Sequence, residues 1–298
     1  MRVMKHRLLP LACAAAVSLG SLDSCDMFEL GCRDDMVSAK VEVCLSDSQP
    51  AATRSSVADT EEFEYAMRNM VLFQFLPDGT LYRSYYFPTL EGNLAVQGRS
   101  GVTYTFLGLM NMGDMTALFP VGTDRFDVEQ YEHYCDSRPD LSSGCPMSCL
   151  GASMTMSSRG GVLTLVFTRL VARYDFRLDC GNLRHGSFEV TSLNLRQAPT
   201  KVMPFLPPSI VIDTCDTYDG DYAIAPDLKA LKDGHAVPFY VLENSQGTLL
   251  EGNTDPWEKV PSQLGDIGAV CTYLELKGTY TENSGKLKAQ HTYRISMY

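Results

Sequence analysis

The run Met70-Val71-Leu72-Phe73-Gln74-Phe75-Leu76, then Pro77-Asp78-Gly79, then 80–87, constrains the fold more than any other part of the chain. Two stretches rich in β-branched and aromatic residues flank a turn triplet, which predicts an antiparallel hairpin. The same pattern recurs. Residues 37–43 alternate apolar and polar with period two, and 102–110 forms another strand candidate. A long β-branched run over 162–167 continues through 170–178, where Asp175 and Arg177 mark a solvated face. Strands are predicted again over 188–195, 237–242 and 270–280. The last is turned back by Glu282-Asn283-Ser284-Gly285-Lys286 into 287–295. Helical signals are confined to a capped start at Asp59 or Thr60 and to 127–133. No strand–helix–strand alternation is visible, so the chain reads as all-β with minor helix, built from sandwiches. Fifteen Tyr residues fit that reading. Ser, Gly and Pro gather over 136–161 around Cys145 and Cys149, which places a boundary between a first sandwich (59–158) and a second (159–298).

The N-terminus carries an address. Arg2, Lys5, His6 and Arg7 precede an apolar stretch over 8–19, too short to span a bilayer and right for a signal peptide over 1–24. Ser21-Leu22-Asp23-Ser24-Cys25 resembles a lipobox, in which Cys25 is diacylated and palmitate-type chains anchor the protein at a membrane. Asp26 and Glu29, just after Cys25, resemble the surface-export signal of Bacteroidetes lipoproteins. Residues 25–58 then form an N-terminal anchor or propeptide. After the strand at 37–43 the chain turns polar and small, an exposed linker holding Arg54, open to a protease. Eight further cysteines, Cys32, Cys44, Cys135, Cys145, Cys149, Cys180, Cys215 and Cys271, suggest disulfides in an exported chain. Cys32/Cys44 and Cys145/Cys149 are candidate local loops.

The sequence carries no recognisable motif for catalysis or cofactor binding. The net charge of −11 removes the basic footprint that nucleic acid needs. No phosphate loop, metalloprotease helix, nucleophile elbow or calcium loop is present, so no catalytic residue, metal or cofactor is assigned. His133, Cys135, Cys145 and Cys149 have zinc-ligand types, but disulfides are favoured in an oxidising compartment. Asp213, Asp216, Asp219 and Asp221 read as a solvated acidic turn, and Trp257 as core.

Three stretches carry a family resemblance. Arg169-Leu170-Val171-Ala172-Arg173-Tyr174 resembles an R-x-x-A-R-hydrophobic strand. Tyr240-Val241-Leu242-Glu243-Asn244-Ser245-Gln246-Gly247 resembles a Y-x-x-E-N-x-x-G segment. Cys271-Thr272-Tyr273-Leu274 resembles the T-Y strand that follows it. With the lipobox, the early strand and a Thr-Arg pair in a linker, the chain resembles the fimbrillin family of Bacteroidales, subunits of type V pili. The resemblance implies two transthyretin-like, Greek-key β-sandwich domains and proteolytic processing after an Arg, here Arg54. It also implies assembly by strand exchange with other pilus subunits. The outer membrane, reached through the lipid anchor, and a host or bacterial surface receptor complete the expected partners. The chain stops at Tyr298, soon after the Thr272 hairpin, where family members continue with more strands. A surface glycan-binding lipoprotein on similar sandwiches is the alternative, and predicts paired exposed aromatics around a groove.

Overall fold

The computed structural model describes residues 35–46, 61–135, 141–206, 217–221, 225–244, 250–253, 255, 258–259, 261–265, 268 and 270–296. Strands dominate, and the helices among them are short: α1 (Arg125–Glu129) and α2 (Ala225–Lys232).

The first sandwich is one seven-stranded sheet folded on itself. Its strands are β1 (Met36–Leu45), β2 (Met70–Phe75), β3 (Leu81–Phe87), β4 (Ala95–Arg99), β5 (Thr103–Met110), β7 (Met147–Thr155) and β8 (Val162–Arg169), in the order β3-β2-β5-β7-β8-β1-β4. Between β7 and β8 only Met147↔Arg169 and Ser148↔Thr168 pair, so the sheet turns its corner there. Its two halves then face each other across a common core. Met70 and Leu72 of β2, Tyr104 and Phe106 of β5, Val41 of β1 and Leu163, Leu165 and Phe167 of β8 all meet in it. The predicted hairpin forms as β2 and β3, with Gly79 at φ 90° in its turn. Strand β2 is buried on both faces, because Val71, Phe73 and Phe75 pack beneath Phe119, Val128 and Phe205.

The second sandwich sets a four-stranded sheet against a two-stranded ribbon. The sheet is β12 (Thr217–Asp221), β10 (Gly186–Pro199), β14 (Tyr273–Glu282) and β15 (Lys288–Ser296); the ribbon is β13 (Val237–Leu242) with β9 (Val171–Phe176). Leu193, Leu195, Leu274 and Leu276 from the sheet meet Val237, Phe239 and Val241 from the ribbon, and α2 adds Leu231. A small pair, β6 (His133–Tyr134) with β11 (Lys201–Val202), sits beside the crossing from one sandwich to the next.

The all-β expectation is met, and three details differ from the sequence reading. The run over 162–178 breaks at Leu170 into β8 and β9. Pairing also runs across the boundary placed at 158/159: β8 joins β1 and β7, so the first core extends to Phe167. The Ser- and Gly-rich stretch after Cys145, within which the boundary was placed, forms an inner strand, β7, between β5 and β8.

Candidate functional site

Strand β1 is where the sequence argument concentrates function. Its burial alternates along its length, with Ala39 and Val41 in the core and Val37, Val43 and Leu45 packed against it. Met36, Ser38, Lys40, Glu42 and Cys44 face out. The strand lies inside the sheet, yet each half has its own partner. Residues Met36 to Lys40 run antiparallel to β4, and Lys40 to Leu45 run parallel to β8. Thus β1 alone joins β4 to the rest of the sheet by backbone pairing. Its two flanks are the segment carrying Cys25 and the segment carrying Arg54. Both residues lie outside the described residues.

Beyond Arg54 the described residues begin at Glu61, and the first turn there is fastened to the junction between the sandwiches. Glu64 is 8% exposed and its carboxylate Oε1 accepts from the Tyr240 hydroxyl (2.7 Å) and from Arg173 Nη1 (2.6 Å). The same oxygen accepts from the Glu61 backbone N–H at 3.3 Å. Arg169 Nε donates to the Glu64 carbonyl (2.7 Å), and its guanidinium lies 4.8 Å from the Tyr65 ring centroid. Phe63 packs edge-on to Tyr240, centroids 5.1 Å apart. Burial and the Glu64 carboxylate push the Tyr240 phenol pKa well up, which keeps it a donor. Arg173 also donates to Asp175 (2.9 Å). Alternation along the ribbon explains this placement: Phe239 and Val241 face the second core, while Tyr240 on the opposite face joins the first.

The three motifs of the family resemblance therefore converge. Arg169, Arg173 and Tyr240 hold the turn after the Arg54 segment. Asn244 Nδ2 bonds the Val270 carbonyl (2.9 Å) and Thr272 Oγ1 (3.0 Å), while the Thr272 hydroxyl donates to the Gln197 carbonyl (2.9 Å). Nothing in the sequence singles out Glu64. Its partners lie 109 and 176 residues away, a distance no local signal spans.

Other candidate residues are not brought into a site. No group of three or more His, Cys, Asp or Glu side chains could hold a metal among the described residues. His133, whose pKa burial lowers, faces the Tyr131 hydroxyl (3.3 Å), whereas Cys145 and Cys149 lie in the first core. The expected Cys145/Cys149 loop does not form. Extended chain at about 3.3 Å per residue carries the two far beyond the ~6 Å Cα separation of a disulfide. Cys44, Cys145, Cys149, Cys180 and Cys271 are free thiols. Burial pushes Cys145 and Cys271 each up to about 11, so both behave as small apolar groups. Cys32, Cys215, Asp213, Asp216 and Trp257 lie outside the described residues, and no helix among those described is long and apolar enough to cross a membrane.

No protein-family model and no curated relative matches the sequence. Solved structures do resemble the fold. A cell adhesion protein from Parabacteroides distasonis superposes with a TM-score of 0.57 at 13% identity, covering 87% of this chain and 79% of that one. A cell adhesion protein from Bacteroides eggerthii gives 0.51 at 15% identity, covering 88% and 79%. A fimbrilin from Porphyromonas gingivalis gives 0.48 at 12% identity, covering 88% and 80%. At such identities the likeness is one of fold: the chain has the fold of these Bacteroidales cell-adhesion proteins, in support of the fimbrillin-like resemblance carried by its motifs.

Proposed function

We propose that the chain is a type V pilus subunit or pilus-associated adhesin of the cell surface, exported as a lipoprotein through Cys25 and assembled by strand exchange after cleavage at Arg54. The observation that carries this reading is the position of β1. It is an inner strand whose departure would open the sheet between β4 and β8. It is also bounded by an anchoring cysteine on one side and a cuttable arginine on the other.

The energetics say why exchange, and not simple loss, would follow. Full burial of a Val or Leu side chain contributes about 1.5–3 kcal/mol, and β1 brings Val37, Val41, Val43 and Leu45 to the core side. Emptying the groove would expose that surface and leave backbone groups of β4 and β8 unpaired. A groove of that kind accepts a replacement strand with the same alternation, the physics of β-strand addition. The Glu64 junction keeps the chain beyond the cut fixed to the folded body while β1 leaves.

The test is to treat the purified precursor with an Arg-specific protease and follow particle size by light scattering, beside an Arg54→Ala control. Growth of the cleaved protein on addition of a partner subunit or donor-strand peptide, and none in the control, is the expected result. Clean cleavage at Arg54 with a product that stays monomeric in the presence of both would refute it.

One observation favours the glycan-binding alternative. Phe188, Tyr280, His291 and Tyr293 gather on one face of β10, β14 and β15, with Phe188 and Tyr293 centroids 5.8 Å apart and Tyr293 39% exposed. Tyr293→Ala should lower retention on a glycan array if this shelf binds sugars; unchanged retention removes that reading.

A further inference from the structure

Strand β4 has a single backbone neighbour, β1, so a departing β1 would be expected to leave it loose. The side chains beneath it argue otherwise. Toward β1 the strand uses alternate positions: Val41 N donates to the Leu94 carbonyl (2.9 Å) and Ser100 N to the Asp35 carbonyl (3.1 Å). The peptide groups of Gln97 and Arg99 therefore point the other way, toward the opposite half of the sandwich. There they meet a substitute ladder built from side chains. Gln97 N donates to the Tyr85 hydroxyl (2.9 Å), that hydroxyl donates to Gln74 Oε1 (2.8 Å), and Gln74 Nε2 donates back to the Gln97 carbonyl (3.1 Å). These bonds close a ring, and the Tyr85 hydroxyl also lies 3.0 Å from the Gln97 carbonyl, so its one proton is shared between two acceptors. Two residues on, Arg99 N donates to the Tyr104 hydroxyl (3.0 Å), and Arg83 Nη1 reaches Gln97 Oε1 (3.2 Å).

Gln74 and Tyr104 are fully buried, in β2 and β5, and neither strand touches β1 by backbone pairing. A fully buried Gln in an otherwise apolar strand is costly unless each of its groups is satisfied, and here both are. The fit is close. A Cβ on Gly98 would come within 2.6 Å of the Tyr104 ring and 2.9 Å of Met156, so β4 lies directly on the opposite half at a spot only glycine allows. Burial raises the Tyr85 pKa, so its hydroxyl keeps the proton it donates.

We propose that Gln74, Tyr85 and Tyr104 are positioning residues that hold β4 in place without β1, so that release of β1 leaves a formed groove ready for an incoming strand. This rests on the strand-exchange reading above, and supplies what that reading needs: an acceptor that does not have to be rebuilt at each encounter.

The experiment is amide hydrogen exchange over 94–100 in the full chain, before and after Arg-specific cleavage, for wild type and Tyr85→Phe. It is paired with binding of a labelled peptide of sequence 35–46 to the cleaved proteins. Before cleavage the Gln97 amide should exchange about tenfold faster in Tyr85→Phe, since it loses its hydrogen-bond partner. After cleavage, wild type should keep protection over 94–100 and take up the peptide. Tyr85→Phe should lose that protection and bind at least tenfold more weakly. Loss of protection in cleaved wild type, or equal peptide binding by the two proteins, overturns the proposal. A cleaved wild type that neither releases β1 nor takes up peptide overturns strand exchange itself, and the proposal with it. Gln74→Met, which leaves Tyr85 in place, gives the same comparison if Tyr85→Phe does not fold.

Discussion

Replacing Glu64 by Ala tests whether the two sandwiches are joined by a specific polar lock. The substitution removes the acceptor for the Tyr240 hydroxyl at 2.7 Å and for Arg173 Nη1 at 2.6 Å. The side chains of Glu64 and Arg173 are 11% and 22% exposed, so water reaches the vacated donors poorly. A buried donor left unsatisfied costs about 1–3 kcal/mol. Removing one partner of a fully buried ion pair costs about 3–5 kcal/mol. Arg173 retains Asp175 and keeps some contact with water, which lowers the second figure, and the expected loss is about 2–4 kcal/mol. Asp175→Ala is the internal control. Its side chain is 48% exposed, so its loss should cost no more than about 1 kcal/mol. Urea unfolding followed by far-ultraviolet circular dichroism gives both values. A double-mutant cycle of Glu64→Ala with Tyr240→Phe should return a coupling of about 1–2 kcal/mol, because the two groups share one hydrogen bond. A cost below about 0.5 kcal/mol for Glu64→Ala, or a cycle that sums to zero, would show that the lock holds nothing.

Glu275 supplies a pH-dependent term. Burial opposes its ionisation, but Lys277 and Arg196 outweigh that and hold its pKa below the usual carboxylate value. A depressed carboxylate stabilises above its unfolded pKa and loses that contribution as pH falls through the folded value. The stability gap between wild type and Glu275→Gln should therefore be present at pH 7 and shrink below about pH 4; a gap independent of pH refutes it. For the thiols, maleimide labelling without reductant should modify Cys44 in the folded protein and spare Cys145 and Cys271 until denaturant is added. Failure of those two to label in denaturant would show that they are oxidised. Cys25→Ala should abolish incorporation of a labelled fatty acid in cells, and equal incorporation by mutant and wild type would exclude Cys25 as the acylated residue.

The parts of the fold that could be read from sequence are those with a local cause. The hairpin over β2 and β3 announces itself through Pro77-Asp78-Gly79, and β1 through strict alternation. Strands β4 and β7 escaped notice because what makes them strands is elsewhere. Met147, Ser148 and Cys149 are buried by their neighbours β5 and β8, while the composition around them is that of a loop. Ala95-Val96-Gln97-Gly98-Arg99 carries a glycine that weakens it as a strand, and only the Tyr104 ring lying under Gly98 explains why that residue is there. Helix α2 lies outside the predicted helical signals, and Leu231 finds its role only against the second core.

The candidate site divides the same way. Arg169, Arg173 and Tyr240 were visible as motif residues, yet a motif says nothing about what its members touch. In the structure all three act on the turn at Glu61–Glu64, the first described residues beyond Arg54. That gives the motifs a mechanical meaning. On the strand-exchange proposal, an incoming strand that replaced β1 would have to work against a body that does not give way. Two separate sets of contacts meet that need. The Glu64 junction fixes the end of the chain that remains after a cut at Arg54. The Gln74–Tyr85–Gln97 ring fixes the β4 rim from which β1 would depart. Their independence is testable, since the two share no residue. Glu64→Ala combined with Tyr85→Phe should destabilise the uncut chain by the sum of the single effects, to within about 0.5 kcal/mol. A departure larger than that would mean that junction and rim move as one unit, and that β1 is held by the whole sandwich and not by two local devices.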